Sequence, residues 1–184
     1  MIGIDEVGRG CWAGPLLVVA ARQTGDLPYG LDDSKKLSKK QRLALLAGIA
    51  SSCQLGEGWA QPQEIDQLGL TAAMRLAVSR ALTAIDAQDS EEIIMDGSIN
   101  YCDTQYQNVT CVVAADSAYP IVSAASIHAK VTRDQAMTDL ALQCQGYGFE
   151  SHVGYGTKAH LEALKVLGVS SHHRKSYKPI QALL

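Results

Sequence analysis

Long apolar runs are scarce in this 184-residue chain. The longest, CWAGPLLVVAA over residues 11–21, contains glycine and proline. It falls well short of the roughly 20 residues that a membrane-spanning helix needs. A secretory leader is not expected either, because Asp5 and Glu6 interrupt the N-terminus before any apolar stretch can build up. Paired cysteines are also missing. Cys11, Cys53, Cys102, Cys111 and Cys144 are scattered and odd in number, with no CxxC, which argues against structural zinc and against a disulfide framework. A reducing, cytoplasmic setting fits such usage. There is no large excess of charge of one sign: the net charge of −3 speaks weakly against nucleic acid as a partner. No internal repeat, linker or low-complexity tract is present. With 47% hydrophobic and 19% charged residues, the chain has the composition of one globular α/β domain over residues 1–184, with a monomer as the default.

Local charge says more than the total. KKLSKKQR (35–42) carries five positive side chains and no acid, and HHRKSYK (172–178) carries three more. Either run alone is a solvated face; both beside an acidic cluster suggest a polyanion surface. The acids open the chain. In GIDEVGRGCWAG (3–14), Asp5 and Glu6 stand side by side, followed by Gly8-Arg9-Gly10. Paired carboxylates are costly unless a cation sits on them.

Hydrophobic periodicity places these motifs. MIGID reads as a strand, LLVVAARQ (16–23) as a second, and QLGEGWAQ (54–61) as a third weakened by two glycines. Ser38 with Gln41 predicts a capping box, opening a helix whose apolar face is Leu43, Leu46, Ala47 and Ala50. Met74, Ala77, Val78, Ala81, Leu82 and Ile85 follow helical spacing most clearly. EIIMDG (92–97) reads as a strand ending at Asp96, and NVTCVVAAD (108–116) as another ending near Asp116. Pro120 opens a long helix, and Thr157 caps a last helix that stops near Gly168.

Asp5, Asp96 and Asp116 thus fall near strand ends, where α/β folds gather their sites. Singly, each is more simply a solvated turn residue. Converging, they would need divalent cations, and oxygen-only donors favour Mg²⁺ or Mn²⁺ over zinc. Neighbours on a strand point to opposite faces, so Asp5 and Glu6 share a site only if the strand ends or bends there. Asp103 and Asp134 remain rivals to Asp116. Asp134 can pair with Lys130 one turn earlier, and Asp103 sits in a polar stretch.

GIDEVGRGCWAGPL resembles the N-terminal signature of ribonuclease HII, the bacterial type 2 ribonuclease H. LDDSKKLS (31–38), EIDQLGLTAAMRLAV (64–78), IIMDG (93–97), AADSAYPIVSAASIHAKVTRD (114–134), GYGT (154–157) and HHRKSY (172–177) follow in the family's order. The resemblance implies a ribonuclease H-like fold, a central mixed five-stranded sheet flanked by helices. It implies an endonuclease that cuts the RNA strand of RNA–DNA hybrids and incises at ribonucleotides embedded in duplex DNA, by two-metal-ion hydrolysis with Mg²⁺ or Mn²⁺. It implies catalytic, metal-binding roles for Asp5, Glu6, Asp96 and Asp116. Substrate contacts are implied for Gly8, Arg9 and Gly10, for Ser34, Lys35 and Lys36, and for Tyr155 against the ribose. His173, Arg174 and Ser176 match the family's C-terminal motif with structural and substrate-facing roles both open, and so does Lys130, between the metals and Asp134. His128 departs from the usual apolar residue and reads as a hydrogen-bonded packing residue. With no N-terminal extension before the GIDEVGRG motif, the chain is not expected to be of the ribonuclease HIII type. Two other readings stay open: a nuclease of the same superfamily without a ribose detector, such as a junction resolvase, and a hybrid-binding module without catalysis.

Overall fold

A computed structural model describes residues 1–32 and 34–184. The elements run β1 (Ile2–Val7), β2 (Leu16–Gln23), α1 (Lys39–Ser52), β3 (Cys53–Ala60), α2 (Pro62–Leu68), α3 (Leu70–Ala84), β4 (Ile93–Asp96), β5 (Val109–Val112), α4 (Ala115–Ala118), α5 (Pro120–Gln143), α6 (Phe149–His152), α7 (Lys158–Leu167) and α8 (Lys178–Gln181). The strands form one sheet in the order β3-β2-β1-β4-β5. β1, β2 and β3 are antiparallel neighbours, whereas β4 and β5 lie parallel to β1 and to each other. This is the expected mixed five-stranded sheet.

Helices cover both faces. On one, Met74, Ala77, Val78, Ala81 and Leu82 of α3 pack on Ile2, Ile4, Leu16, Val18 and Ala20. The contact is close because β3 is bare there. A Cβ on Gly58 would overlap the Ala77 carbonyl oxygen, and one on Gly56 that of Ala81. The two glycines that weaken this strand in a propensity reading are therefore what lets a helix backbone touch it. On the other face, α5 and α1 bury Leu17, Val19, Ala21 and Ile94. A third cluster, Ala13, Met137, Tyr147, Phe149, Leu164 and Ile180, ties the C-terminal third to residues 12–15.

Most boundaries agree with the periodicity, and the Ser38–Gln41 capping box is formed. Two details differ. The inward face of α1 is Leu45, Leu46, Ile49 and Ser52; Leu43, Ala47 and Ala50 are exposed. Four leucine and alanine positions on a helix rich in both cannot fix its rotation; docking on α5 and the sheet does. Asp116 does not end a strand. β5 stops at Val112, Ala114 turns left-handed (φ 57°), and Asp116 rides on the short α4.

Candidate active site

β1 ends at Val7, and Gly8 takes φ +87°, a conformation that favours glycine. A Cβ at Gly8 would also overlap Nε of Arg133, so the loop rests on that guanidinium. Here the sheet opens into a cleft of about 330 Å³, lined by Asp5, Glu6, Asp96, the Gly8–Gly10 loop, Ser34, Lys35, Ser126, Lys130 and Tyr155. Asp5 and Glu6 leave the strand on opposite faces, yet both reach the cleft because it lies across the strand's end.

The carboxylates are held by neighbours of defined chemistry. Asp5 is 7% exposed, and its Oδ1 accepts the Glu6 amide at 2.7 Å. Burial pushes its carboxyl up to about 7; the Ser126 hydroxyl works against this, while the charges of Glu6 and Asp96 add to it. Burial also raises Glu6, opposed by Arg9 and Lys35 and reinforced by Asp96. Asp96 accepts the Ala115 amide at 2.7 Å, which ties β4 to α4. Asp116 lies just outside the cleft lining, 3% exposed, with the Lys35 amino group 3.9 Å from its Oδ2. Among the described residues, no group of three or more His, Cys, Asp or Glu side chains is arranged to hold a metal ion. The acids stand near one another without closing into a cage.

Cationic and aromatic groups surround them. Arg9 pairs with Glu6 at 3.7 Å and donates to the Tyr101 hydroxyl at 3.1 Å. Ser34 is buried; its hydroxyl bonds that of Ser126 at 2.9 Å, and its carbonyl accepts from Arg42 at 2.7 Å. The loop bearing Lys35 is thereby linked through two hydroxyls to Asp5. Lys36 does not line the cleft and pairs with Asp32 at 3.1 Å. Tyr155, 41% exposed, also lines the cleft. Lys130 both lines the cleft and pairs with Asp134 at 2.8 Å. His128 packs and bonds Glu57 at 2.8 Å, away from the acids.

Two arginines carry much of this architecture: Arg174 of the HHRKSY motif, whose role the sequence left open, and Arg133, to which no reading of the sequence gave a role. Arg133 and Arg174 are fully buried. Arg133 donates to the carbonyls of Pro15 at 2.8 Å and Val153 at 2.9 Å, tying the start of β2 to the segment that precedes Tyr155. Arg174 donates to Gly14 and Arg9. The other two named residues of this segment are also bonded within the protein: Ser176 is anchored on Asp66 at 2.7 Å, and His173 bonds His160 at 3.0 Å. The sequence does hold a signal for Arg133. Ser126, Lys130 and Arg133 follow helical spacing, so Arg133 falls on the same side of α5 as two residues that line the cleft.

The chain is similar to known proteins over nearly its whole length. The family model described as Ribonuclease HII matches residues 2–180. The Ribonuclease HII of Roseobacter denitrificans is 41% identical over 185 residues, covering 99% of this chain and 91% of that protein. That of Vibrio parahaemolyticus is 44% identical over 184 residues, covering 99% and 86%. Among solved structures, an Archaeoglobus fulgidus chain from a PCNA:RNase HII complex superposes with a TM-score of 0.79 at 26% identity, over 96% of this chain and 94% of that one. With the family model spanning nearly the whole chain, this protein belongs to the ribonuclease HII family and is a ribonuclease H, a hydrolase of phosphodiester bonds.

Proposed function

We propose that the cleft at the end of β1 cuts the RNA strand of RNA–DNA hybrids and incises duplex DNA at embedded ribonucleotides, with divalent metal ions held by Asp5, Glu6, Asp96 and Asp116. The observation that carries the reading is the gathering of Asp5, Glu6 and Asp96 beside a glycine-bracketed arginine loop in one polar cleft. The donor set fits a hard divalent cation. It offers carboxylate oxygens only, and beside burial the charge of Asp96 raises the proton affinity of both Asp5 and Glu6. Mg²⁺ or Mn²⁺ would relieve that repulsion. Two such ions would supply an activated water and stabilisation of the leaving oxygen.

The chain's own groups do the rest. Asp5 and Asp96, which both line the cleft, are oriented by backbone amides. Ser126 bonds Asp5 and is bonded in turn by Ser34. Lys35 and Arg9 present positive charge to the phosphates that flank the scissile bond, with Ser34 and Lys36 on the same loop. The exposed backbone at Arg9 and Gly10 offers close approach to a sugar, and Tyr155 in the same cleft lining supplies a ring for the ribose. The substrate is nucleic acid; no helix among the described residues is long and apolar enough to cross a membrane. A cytoplasmic monomer is consistent with this role.

The test is cleavage of an end-labelled DNA duplex with one internal ribonucleotide, beside an all-DNA duplex, with Mg²⁺, with Mn²⁺ and with EDTA. Metal-dependent cutting of the first duplex alone is expected. Cutting of both removes the ribose reader, and cutting in EDTA removes the metal. Tyr155→Ala should lose activity on the single ribonucleotide with its melting temperature kept.

A further inference from the structure

The C-terminal HHRKSY segment grips the Gly8–Gly10 loop from below, at one atom. The Arg9 carbonyl oxygen accepts the Tyr177 hydroxyl at 2.7 Å and Nη1 of Arg174 at 2.9 Å. The two donors also bond each other at 2.9 Å, and the guanidinium lies 5.3 Å from the Tyr177 ring centre. The rest of the Arg174 fork holds the Gly14 carbonyl at 3.0 and 3.1 Å, so the guanidinium cannot swing away. Arg174 is fully buried, and these bonds are made 160 to 168 residues apart in sequence.

A carbonyl oxygen has two lone pairs, and here both are taken. The peptide joining Arg9 to Gly10 is trans and planar, so its N–H points opposite to its C=O. The acceptor of this peptide is therefore turned into the protein, and its donor, the Gly10 N–H, is turned away from Arg174 and Tyr177. Gly10 is exposed and lines the cleft with Asp5 and Tyr155. A Cβ there would meet nothing within 4 Å, which is open space of the kind a sugar could enter. Without the two bonds, the Arg9–Gly10 peptide, with a glycine on its C-terminal side, could rotate and present its carbonyl instead.

We propose that Tyr177, together with Arg174, is a positioning residue that locks the Arg9–Gly10 peptide with its N–H toward the cleft and thereby sets the preference for a ribonucleotide. The inference rests on the ribose-reading role proposed above for the Gly8–Gly10 loop. It adds that the loop meets the sugar hydroxyl as a donor, and that the C-terminal segment decides this. Tyr177 is the residue to change, because removing the buried Arg174 would strand several carbonyls at once.

The experiment compares Tyr177→Phe with wild type on two substrates, a DNA duplex with one ribonucleotide and a continuous RNA–DNA hybrid. In the first, a single hydroxyl carries recognition; in the second, neighbouring ribonucleotides and helix shape also hold the register. For one hydrogen bond removed, kcat/KM on the single ribonucleotide should fall roughly 3- to 10-fold. The ratio of the two substrates should fall with it, and this ratio does not depend on the fraction of protein folded. Amide exchange over residues 8–12 should quicken in the variant. An unchanged ratio, whether both activities hold or fall together, overturns the proposal. Gly10→Pro, which deletes the N–H itself, separates the two layers. If it cuts the single ribonucleotide as wild type does, the loop is not the ribose reader. If it fails while Tyr177→Phe keeps the wild-type ratio, only the positioning role is lost.

Discussion

His160 and His173 meet nitrogen to nitrogen, Nε2 to Nε2, at 3.0 Å in the core of the C-terminal cluster. Only one of the two can carry the proton between them. The Tyr155 carbonyl, 3.0 Å from Nδ1 of His160, can only accept, so His160 is protonated at Nδ1 and accepts at Nε2. His173 is then the donor at Nε2, and its Nδ1 accepts from Ser170. The chain of bonds runs from Ser170 to the backbone of the candidate ribose-contacting tyrosine, and it exists only while both rings are neutral.

Acid should therefore weaken the fold here. Burial pushes His173 down to about 4, with the neighbouring His160 adding to the effect. Above the ordinary 6.5 both folded and unfolded rings are neutral. Below it the unfolded ring takes a proton that the folded one refuses, so stability is lost as pH falls from 6.5 towards about 4. The stability advantage of wild type over His173→Gln should shrink across that window by up to about 3 kcal/mol. Urea titrations at several pH values measure it; a constant difference would place the cost elsewhere.

Asp5 has the opposite sign. Its buried carboxyl, raised from 3.8 to about 7, costs the metal-free fold nothing below pH 3.8, where it is protonated in both states. The cost grows as pH rises towards 7 and is complete above it. Asp5→Asn should abolish cleavage and raise the metal-free melting temperature at pH 8, with a gain that vanishes by pH 4. Normal cleavage by this variant would remove Asp5 from the catalytic set.

Lys35 and Lys36 sit on one loop but differ in placement: Lys35 lines the cleft, whereas Lys36 is paired with Asp32. Lys35→Ala should weaken hybrid binding and flatten the slope of log affinity against log salt by about 0.7 to 0.9, the value for one phosphate contact. Lys36→Ala should do less. Equal slopes for Lys35→Ala and wild type would take Lys35 off the phosphate path.

Gly58→Ala tests the close approach of α3 to β3. The added methyl runs into the Ala77 carbonyl, part of a backbone that cannot rotate aside. A loss of about 1–3 kcal/mol in urea unfolding is expected, typical of overpacking. Gly10→Ala, with open space around its Cβ, should stay within about 0.5 kcal/mol. Equal stability of the two would mean that α3 gives way.

The short α2, α4, α6 and α8 were not legible in the linear chain, but the order of the five strands and of α1, α3, α5 and α7, the capping box of α1, the α3 stripe and the acids that meet at the cleft were. They depend on short-range periodicity and on motifs written in contiguous residues. The rotation of α1 was not legible, because leucine and alanine occupy several of its faces and only docking chooses one. Nor was the position of Asp116, since a left-handed turn at Ala114 inserts α4 between β5 and the acid. The buried arginines, the Arg9 carbonyl held from residues 174 and 177, and the His160–His173 pair arise only from the packed molecule. Each is a polar group far from its partner in sequence, and burial makes its hydrogen bonds obligatory. Which distant groups satisfy one another is fixed only when the layers pack.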